Sequence, residues 1–301
     1  MSKTDEIINL MTKGVKDVFD AYDYIAKVIK IKDDPDHGTG DFLEWGHVKL
    51  TLSHGVYILT GIPGSGKTTW LNNVIAHSIK AHGYRWGVFS PESMPYEEML
   101  ATMVEITTNT SMYGKYNTDI TSHADIEAGM SMLAENLKLI EIEDDEALRI
   151  ESIMETMQSM IEIYNTNAFA IDPYNEFSHT RDKNISETEY VSYFLQRARK
   201  FTRKNKVMLW LVAHPKKMQK NDDGEYSCPT LYDIAGSANF NNKADFGVAI
   251  RRHPYVADSP SMSSVHVLKS RKKHVAEVGE YELEFNVATS KYKVGRYEYE
   301  Q

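Results

Sequence analysis

A central, mostly parallel β-sheet flanked by helices is the fold this sequence predicts, with antiparallel hairpin strands added near its C-terminal end. Three observations carry that α/β expectation. Short β-rich runs at Val56–Thr60, Arg85–Ser90, Leu137–Ile142, Ala168–Asp172, Val207–His214 and Phe246–Arg252 alternate with helical stretches at 67–82, 95–108, 122–135, 147–165 and 186–205. Strands separated by helices of that length pair in parallel through crossovers. Residues 61–68 read GIPGSGKT, entered from the strand-like VYILT and left through the helix-like TTWLNNVIAHSIKAH. Finally the tail changes character, because Ser264–Lys273, Tyr281–Asn286 and Lys291–Tyr297 read as hairpin strands extending the sheet edge.

The elements follow in order. Ile7, Ile8, Met11, Val15, Val18, Phe19, Tyr22, Ile25, Val28 and Ile29 recur at helical period over residues 5–31, an amphipathic helix or two. DDPDHGTGD at 33–41 breaks the pattern with acid, Pro and Gly and reads as a linker. The expected organisation is a helical N-terminal segment over 1–40 and one α/β domain over 41–301. With 301 residues, 42% of them hydrophobic, the chain can bury one large core. Its longest uninterrupted apolar run, Val207–Ala213, is too short to span a bilayer. MSKTDEIINL lacks the basic start and apolar block of a secretory signal. The expectation is therefore a soluble cytoplasmic protein with no membrane partner. A lone cysteine, Cys228, excludes an internal disulfide framework and a multi-cysteine zinc site. A net charge of −9 argues against coating nucleic acid wholesale but leaves room for a local basic path. Lys and Arg do concentrate at Arg197–Lys220 and Lys269–Lys273.

GIPGSGKT is a full Gly-x-x-x-x-Gly-Lys-Thr motif in its required strand–loop–helix setting. Glycines such as Gly64 and Gly66 let the backbone turn its N–H groups inward around phosphate. The helix start adds its dipole and unpaired donors. The nucleotide-binding candidates are Gly61, Ile62, Pro63, Gly64, Ser65, Gly66, Lys67, Thr68 and Thr69. Lys67 is expected on the β- and γ-phosphates, and the Thr68 hydroxyl on Mg²⁺.

Two acids on neighbouring strands complete a hydrolytic site. FAIDP ends an apolar run with Asp172, placed to hold Mg²⁺ through its water shell. Because Pro173 follows where many phosphate-loop ATPases carry a second acid, the water-activating carboxylate must come from elsewhere. Glu92, in WGVFSPES just past the strand after the phosphate-loop helix, is the candidate. Carboxyl ends of adjacent parallel strands converge on one ligand edge. His214 ends VMLWLVAH on that edge and is placed to sense the γ-phosphate. Against each assignment stands a plainer one: a strand-end Asp capping a turn, a helix-start Glu, a His satisfied by its neighbours.

TGIPGSGKTTW, FSPES, AIDPYNEF, LVAHPKK, YDIAGSANFNNKADFGVAIRR and VLKSRKKHVAEVGEYELEFN run in order from about residue 40 to the end. Together they resemble the DnaB-type ring helicases, a RecA-like group, and more narrowly the helicase half of Twinkle-like and phage primase-helicases. The resemblance implies a homo-hexamer, or a heptamer, with ATP or dTTP and Mg²⁺ between subunits and single-stranded DNA in the bore. It implies 5′→3′ translocation and duplex unwinding in DNA replication, with a separate primase and a polymerase as partners. It assigns Lys67 and Thr68 to phosphate and Mg²⁺, Glu92 to water activation, Asp172 to Mg²⁺ and His214 to phosphate sensing. Lys269 and Arg271 become cationic fingers donated to the neighbour's γ-phosphate. Two residues apart on a strand, they share a face and can reach one anion.

The matching DNA segments are Asn175–Glu189 and Lys216–Lys243. In the second, Lys216, Lys217, Lys220 and Lys243 suit phosphates, while Gly236, Ser237 and Asn239 offer backbone or amide donors. Phe240 either stacks a base or anchors the loop, and Tyr292 is a candidate for stacking the nucleotide base. The relatives carry a primase-like region before the motor where this chain has some 40 residues. Its helix within 5–31 is then expected to pack on the adjacent subunit, or else to cover its own sheet.

Three other functions are consistent with parts of the pattern. A recombination ATPase of the RecA–RadA group shares the fold and forms open filaments, but LKSRKKHVAEVG favours the ring. A small-molecule kinase needs an arginine lid and an acceptor pocket. A non-hydrolysing accessory has no use for the water-activating acid.

Overall fold

The computed structural model describes residues 24–26, 28–29, 41–42, 48, 50–114, 118–142, 149–180, 185–222, 224–253, 261–272 and 276–294. The chain divides into two compact units, Met1–Thr39 and Gly40–Gln301. In the first, residues 25–26 and 28–29 are helical with Ile25, Val28 and Ile29 exposed. Most of the helix expected over 5–31 lies outside the described residues.

Among its described residues the second unit is built on a nine-stranded sheet, apart from the short pair Asp41–Phe42 and Thr51–Leu52: β1 (Gly55–Thr60), β2 (Trp86–Phe89), β3 (Leu137–Leu139), β4 (Ala168–Ile171), β5 (Met208–Val212), β6 (Phe246–Arg252), β7 (Ser261–Ser270), β8 (Gly279–Asn286) and β9 (Lys291–Val294). Their order across the sheet is β9-β8-β7-β6-β1-β5-β4-β2-β3. The six from β1 to β6 pair in parallel, and β6 to β9 pair antiparallel. This is the mixed sheet the sequence predicts, down to the hairpin tail. The residues 295–297 expected to continue the last strand lie outside the described residues.

Six helices connect the strands: α1 (Lys67–His82), α2 (Glu97–Thr108), α3 (His123–Asn136), α4 (Ile150–Tyr164), α5 (Glu187–Asn205) and α6 (Ser237–Lys243). Ser122 and Ser186 start α3 and α5 with reciprocal capping boxes through Asp125 and Glu189. Helices cover both faces of the central parallel strands, so β1, β2, β4 and β5 bury every residue instead of alternating. On one face Tyr57, Leu59, Trp86, Val88, Trp210 and Val212 pack with α1, α2 and α3. Tyr57 stacks between Trp210 and Phe246 at centroid distances of 4.5 and 4.3 Å. On the other, Val56, Ile58, Phe169, Ile171, Leu209 and Leu211 pack with α4, α5 and α6. This two-sided burial fixes the strand ends, and so fixes where the side chains beyond them stand.

Helix α6 was not expected; SANFNNK reads as loop because Asn and Ser favour competing backbone bonds. Packing overrides that preference. Phe240 is fully buried, its ring edge-on to Tyr174 at 5.5 Å, and Gly236 precedes the helix at φ 71° with Val191 against it. Of the two roles open to Phe240, the structure thus chooses the anchor.

Candidate nucleotide site and its flanking segments

The strands β1, β2, β4 and β5 are parallel and neighbouring, so their carboxyl ends deliver four segments to one edge. The loop after β1 turns through Gly64 (φ 76°) and Gly66 (φ 87°), left-handed positions that glycine adopts without strain. Gly61 is fixed by space instead, since a Cβ there would lie 2.6 Å from the Ile250 carbonyl oxygen. Ser65 is buried and its hydroxyl has no protein partner. Lys67 is 6% exposed, and its ammonium donates to the Gly61 and Ile62 carbonyls at 3.0 and 3.1 Å. Burial holds its pKa below the ordinary value, partly offset by Asp172 and Glu92.

Beyond β4, the Asp172 carboxylate accepts a 2.7 Å hydrogen bond from the Thr68 hydroxyl. Its second oxygen is buried without a hydrogen-bond partner. Burial pushes Asp172 up to about 6, against the opposing effects of the Thr68 bond and Lys67. A buried carboxylate oxygen with open coordination, beside a hydroxyl, is the hard-oxygen donor set that suits Mg²⁺. Thr68 and Asp172 could hold the ion, and Gly64, Ser65, Gly66, Lys67 and Thr69 lie on the same loop and helix start.

That arrangement has a stability consequence. A carboxyl displaced from 3.8 to about 6 favours the protonated fold by roughly 3 kcal/mol. The folded protein binds the proton more tightly, so stability from this group is full below pH 3.8 and lost as pH rises through 6. Without metal, Asp172→Asn should therefore be the more stable protein above pH 6, by up to that amount. The advantage should shrink toward pH 4. Urea unfolding in chelator at both pH values measures it, and an equal gap at the two would contradict the assignment.

Past β2, the 3₁₀ turn Pro91–Ser93 is pinned by the Ser90–Ser93 hydroxyl pair at 2.7 Å and presents Glu92, whose side chain is 54% exposed. Past β5, His214 places Nε2 3.6 Å from Glu92 Oε1. That is ion-pair range but too long for a direct hydrogen bond. Burial and Lys67 hold His214 below the ordinary imidazole value, Glu92 opposing them. The imidazole is thus neutral at pH 7. Asn175, which the sequence reading placed only at the head of a DNA segment, accepts the His214 backbone N–H at 3.1 Å; only the fold brings the two together.

Lys67, Thr68, Asp172, Glu92 and His214 are thus assembled at one edge. Lys269 and Arg271 are not there. The register Gly247↔Lys269 puts them at the amino end of β6, alongside the amino end of β1. The length of β1, about 17 Å, separates that edge from the phosphate loop. Lys269 donates to the Asn241 carbonyl, and Arg271 donates to those of Asn242 and Ala244.

Of the DNA candidates, Lys216 and Lys217 line a cavity of about 270 Å³ with Ile62, Pro63, Pro215, Met218 and Tyr226, beside the phosphate loop. Lys220 lies over the Tyr226 ring at 5.4 Å. Asn239 and Lys243 turn inward, donating to the Thr188 carbonyl at 3.0 Å and to Ser192 at 2.6 and 2.8 Å. Gly236 shapes the start of α6; the side chain of Ser237 and residues 181–184 lie outside the described residues. Tyr292 is no stacking platform: it is 3% exposed, packed on Phe285 at 4.9 Å within the core. Burial raises the Cys228 thiol to about 12, as befits an inert side chain.

Residues 50–294 match the family described as the DnaB-like helicase C terminal domain. The chain belongs to that family. The match takes in the phosphate loop, both acids, His214 and the Lys269–Arg271 pair. The Twinkle homolog protein, chloroplastic/mitochondrial, of Arabidopsis thaliana is 30% identical over 239 residues. Those residues are 78% of this chain and 33% of that relative, so the chain spans about one third of the length of the curated relative it matches. The solved ATPase domain of G40P shares the fold at a TM-score of 0.71 with 14% identity, covering 93% of this chain and 100% of that one. A DnaB-like replicative helicase, solved in a study of its interactions with primase, gives 0.71 and 14% over 97% of this chain and 71% of that one. This DnaB-like domain has the RecA-like arrangement expected of it, and among its described residues no helix is long and apolar enough to cross a membrane.

Proposed function

We propose that this chain is the motor of a replicative DNA ring helicase, hydrolysing ATP or dTTP with Mg²⁺ at the seams between subunits. Six copies, or seven, surround single-stranded DNA, and hydrolysis drives translocation 5′→3′ with unwinding of the duplex ahead. Work in the cytoplasm beside a separate primase and polymerase completes the reading.

One observation carries it. The phosphate loop, Asp172, Glu92 and His214 share one sheet edge, whereas Lys269 and Arg271 stand at the other, about 17 Å away. They stand out of reach of their own subunit's triphosphate, which supports a second copy as the source of the charge that stabilises the transferring phosphoryl group. Magnesium, when bound, would neutralise phosphate charge. This chain's own residues do the rest: Lys67 binds phosphate oxygens, Thr68 and Asp172 fix the ion, and Glu92 takes the proton from water. His214, close to Lys67 and Glu92, registers whether phosphate is present. Lys216 and Lys217 connect that edge to a DNA path, with Lys220, Gly236, Ser237, Asn239 and Lys243 along the same segment.

A forked DNA substrate with a free 5′ tail tests the proposal. Strand separation is expected with nucleotide and Mg²⁺, absent with chelator and absent for Lys67→Ala. Efficient unwinding by Lys67→Ala, or unwinding only of forks with a 3′ tail, would defeat the reading as stated.

A further inference from the structure

Two parts of the molecule that are separate in sequence meet at the C-terminal end of α6. The last carbonyls of a helix have no intrahelical donors. Here those of Asn241 and Asn242, with Ala244 just beyond, receive Lys269 and Arg271. Asp245 follows at once. Its Oδ1 lies 3.7 Å from Arg271 Nε, 3.6 Å from Arg199 Nε and 3.7 Å from Arg203 Nη2. Its Oδ2 accepts the Val56 N–H at 3.2 Å, which ties it to the strand leading to the phosphate loop. One carboxylate therefore answers three guanidiniums, and Arg199 Nε is buried without a hydrogen-bond partner. This cluster has cationic charge to spare.

The other side of α6 is gripped by α5. Asn239 and Lys243 bond to Thr188 and Ser192, and Val191 packs against Gly236. Helix α5 also carries Arg199 and Arg203 to Asp245. The end of the Lys216–Lys243 segment and the Lys269–Arg271 pair are consequently one mechanical piece, joined through backbone carbonyls.

We propose that Asp245 and the final carbonyls of α6 form a latch that positions Lys269 and Arg271, through which DNA held along Lys216–Lys243 controls hydrolysis at the adjoining subunit. The inference rests on the seam reading above. A carbonyl is a neutral acceptor, whereas a triphosphate oxygen makes the stronger, charge-assisted bond. Arg271 therefore transfers to phosphate when α6 is placed to release it, and DNA tension on α6 sets that placement. Asp245, anchored by the Val56 amide, is the fixed pivot and a positioning residue, not a catalytic one.

The test uses the whole chain and oligothymidylate as the DNA probe. Asp245→Asn should lower DNA-stimulated kcat about a hundredfold, the cost of a displaced catalytic group, with little change in KM. Stimulation by DNA should fall to about onefold, while oligonucleotide affinity by anisotropy is retained. Mixed with Lys67→Ala, the variant should regain turnover, because some of its phosphate loops then face an intact latch. Asp245→Glu should recover part of the stimulation. Undiminished stimulation, or no recovery on mixing, overturns the latch. If Arg271→Ala mixed with Lys67→Ala also fails to recover, the seam reading falls; if that mixture recovers alone, only the latch falls. Should Asp245→Asn not assemble, Arg203→Gln replaces it at a side chain 60% exposed. With one of the cations that steady Asp245 removed, the pivot is looser and stimulation should fall severalfold, and unchanged stimulation would count against the latch.

Discussion

Arg271→Ala is expected to reduce nucleotide turnover by about 10³- to 10⁵-fold, the range an arginine donated to a transferring phosphoryl group contributes. Nothing in its own subunit would lead to that expectation. Arg271 stands at the amino end of the sheet, capping α6 and facing Asp245, a strand's length from Lys67. A purely structural Arg271 would lose a helix-terminal contact of about 1 kcal/mol on truncation and leave chemistry nearly intact. The decisive measurement is complementation. Arg271→Ala and Lys67→Ala are each dead alone, the first lacking the donated cation and the second the phosphate anchor. In a mixed ring, a phosphate loop from the first can face an Arg271 from the second, and turnover should reappear in proportion to such seams. Turnover should also fall on dilution below the assembly range. If dilution has no effect and mixing restores nothing, catalysis is confined to one subunit.

The parts of this site legible in the sequence are those encoded locally. GIPGSGKT carries its own loop geometry, and Asp172, Glu92 and His214 each sit at the end of an apolar run whose direction the crossovers dictate. The two-sided burial of β1, β4 and β5 makes those runs conspicuous, so their ends are easy to locate. What the sequence conceals is long-range. Asp245 meets Val56 across 189 residues, and α6 forms against local preference because Phe240 packs on Tyr174, whose ring in turn meets Phe194. Lys243 and Asn239 look like free DNA ligands in a polar stretch until α5 is seen to take up both. Tyr292 reads as an exposed aromatic in a charged tail, yet the antiparallel addition of β9 turns it into core. Asn175 has a role only because β4 and β5 are neighbours.

Glu92→Gln should lower kcat by about 10²- to 10⁴-fold, the usual contribution of a positioned general base. Nucleotide affinity should be preserved, because Glu92 sits across from Lys67 and not among the residues that cradle phosphate. Its environment supports the role. The side chain is 54% exposed, so water reaches it, while the pinned 3₁₀ turn limits where it can point. Its neighbour His214 is depressed below the ordinary imidazole value by burial and Lys67. A neutral imidazole makes no ion pair with Glu92 across the 3.6 Å contact and so leaves that side chain to the attacking water. Acidification that protonates His214 would convert the 3.6 Å contact into an ion pair and disarm the base, so kcat should fall on the acid side. Replacing His214 with Asn should remove the part of that fall due to imidazole while costing far less at pH 7 than Glu92→Gln does. Rapid-quench single-turnover measurement at saturating nucleotide separates this loss from binding. Turnover by Glu92→Gln within a few-fold of the unaltered chain would move the base elsewhere, and Glu176, the other carboxylate that influences His214, would be the next residue to substitute.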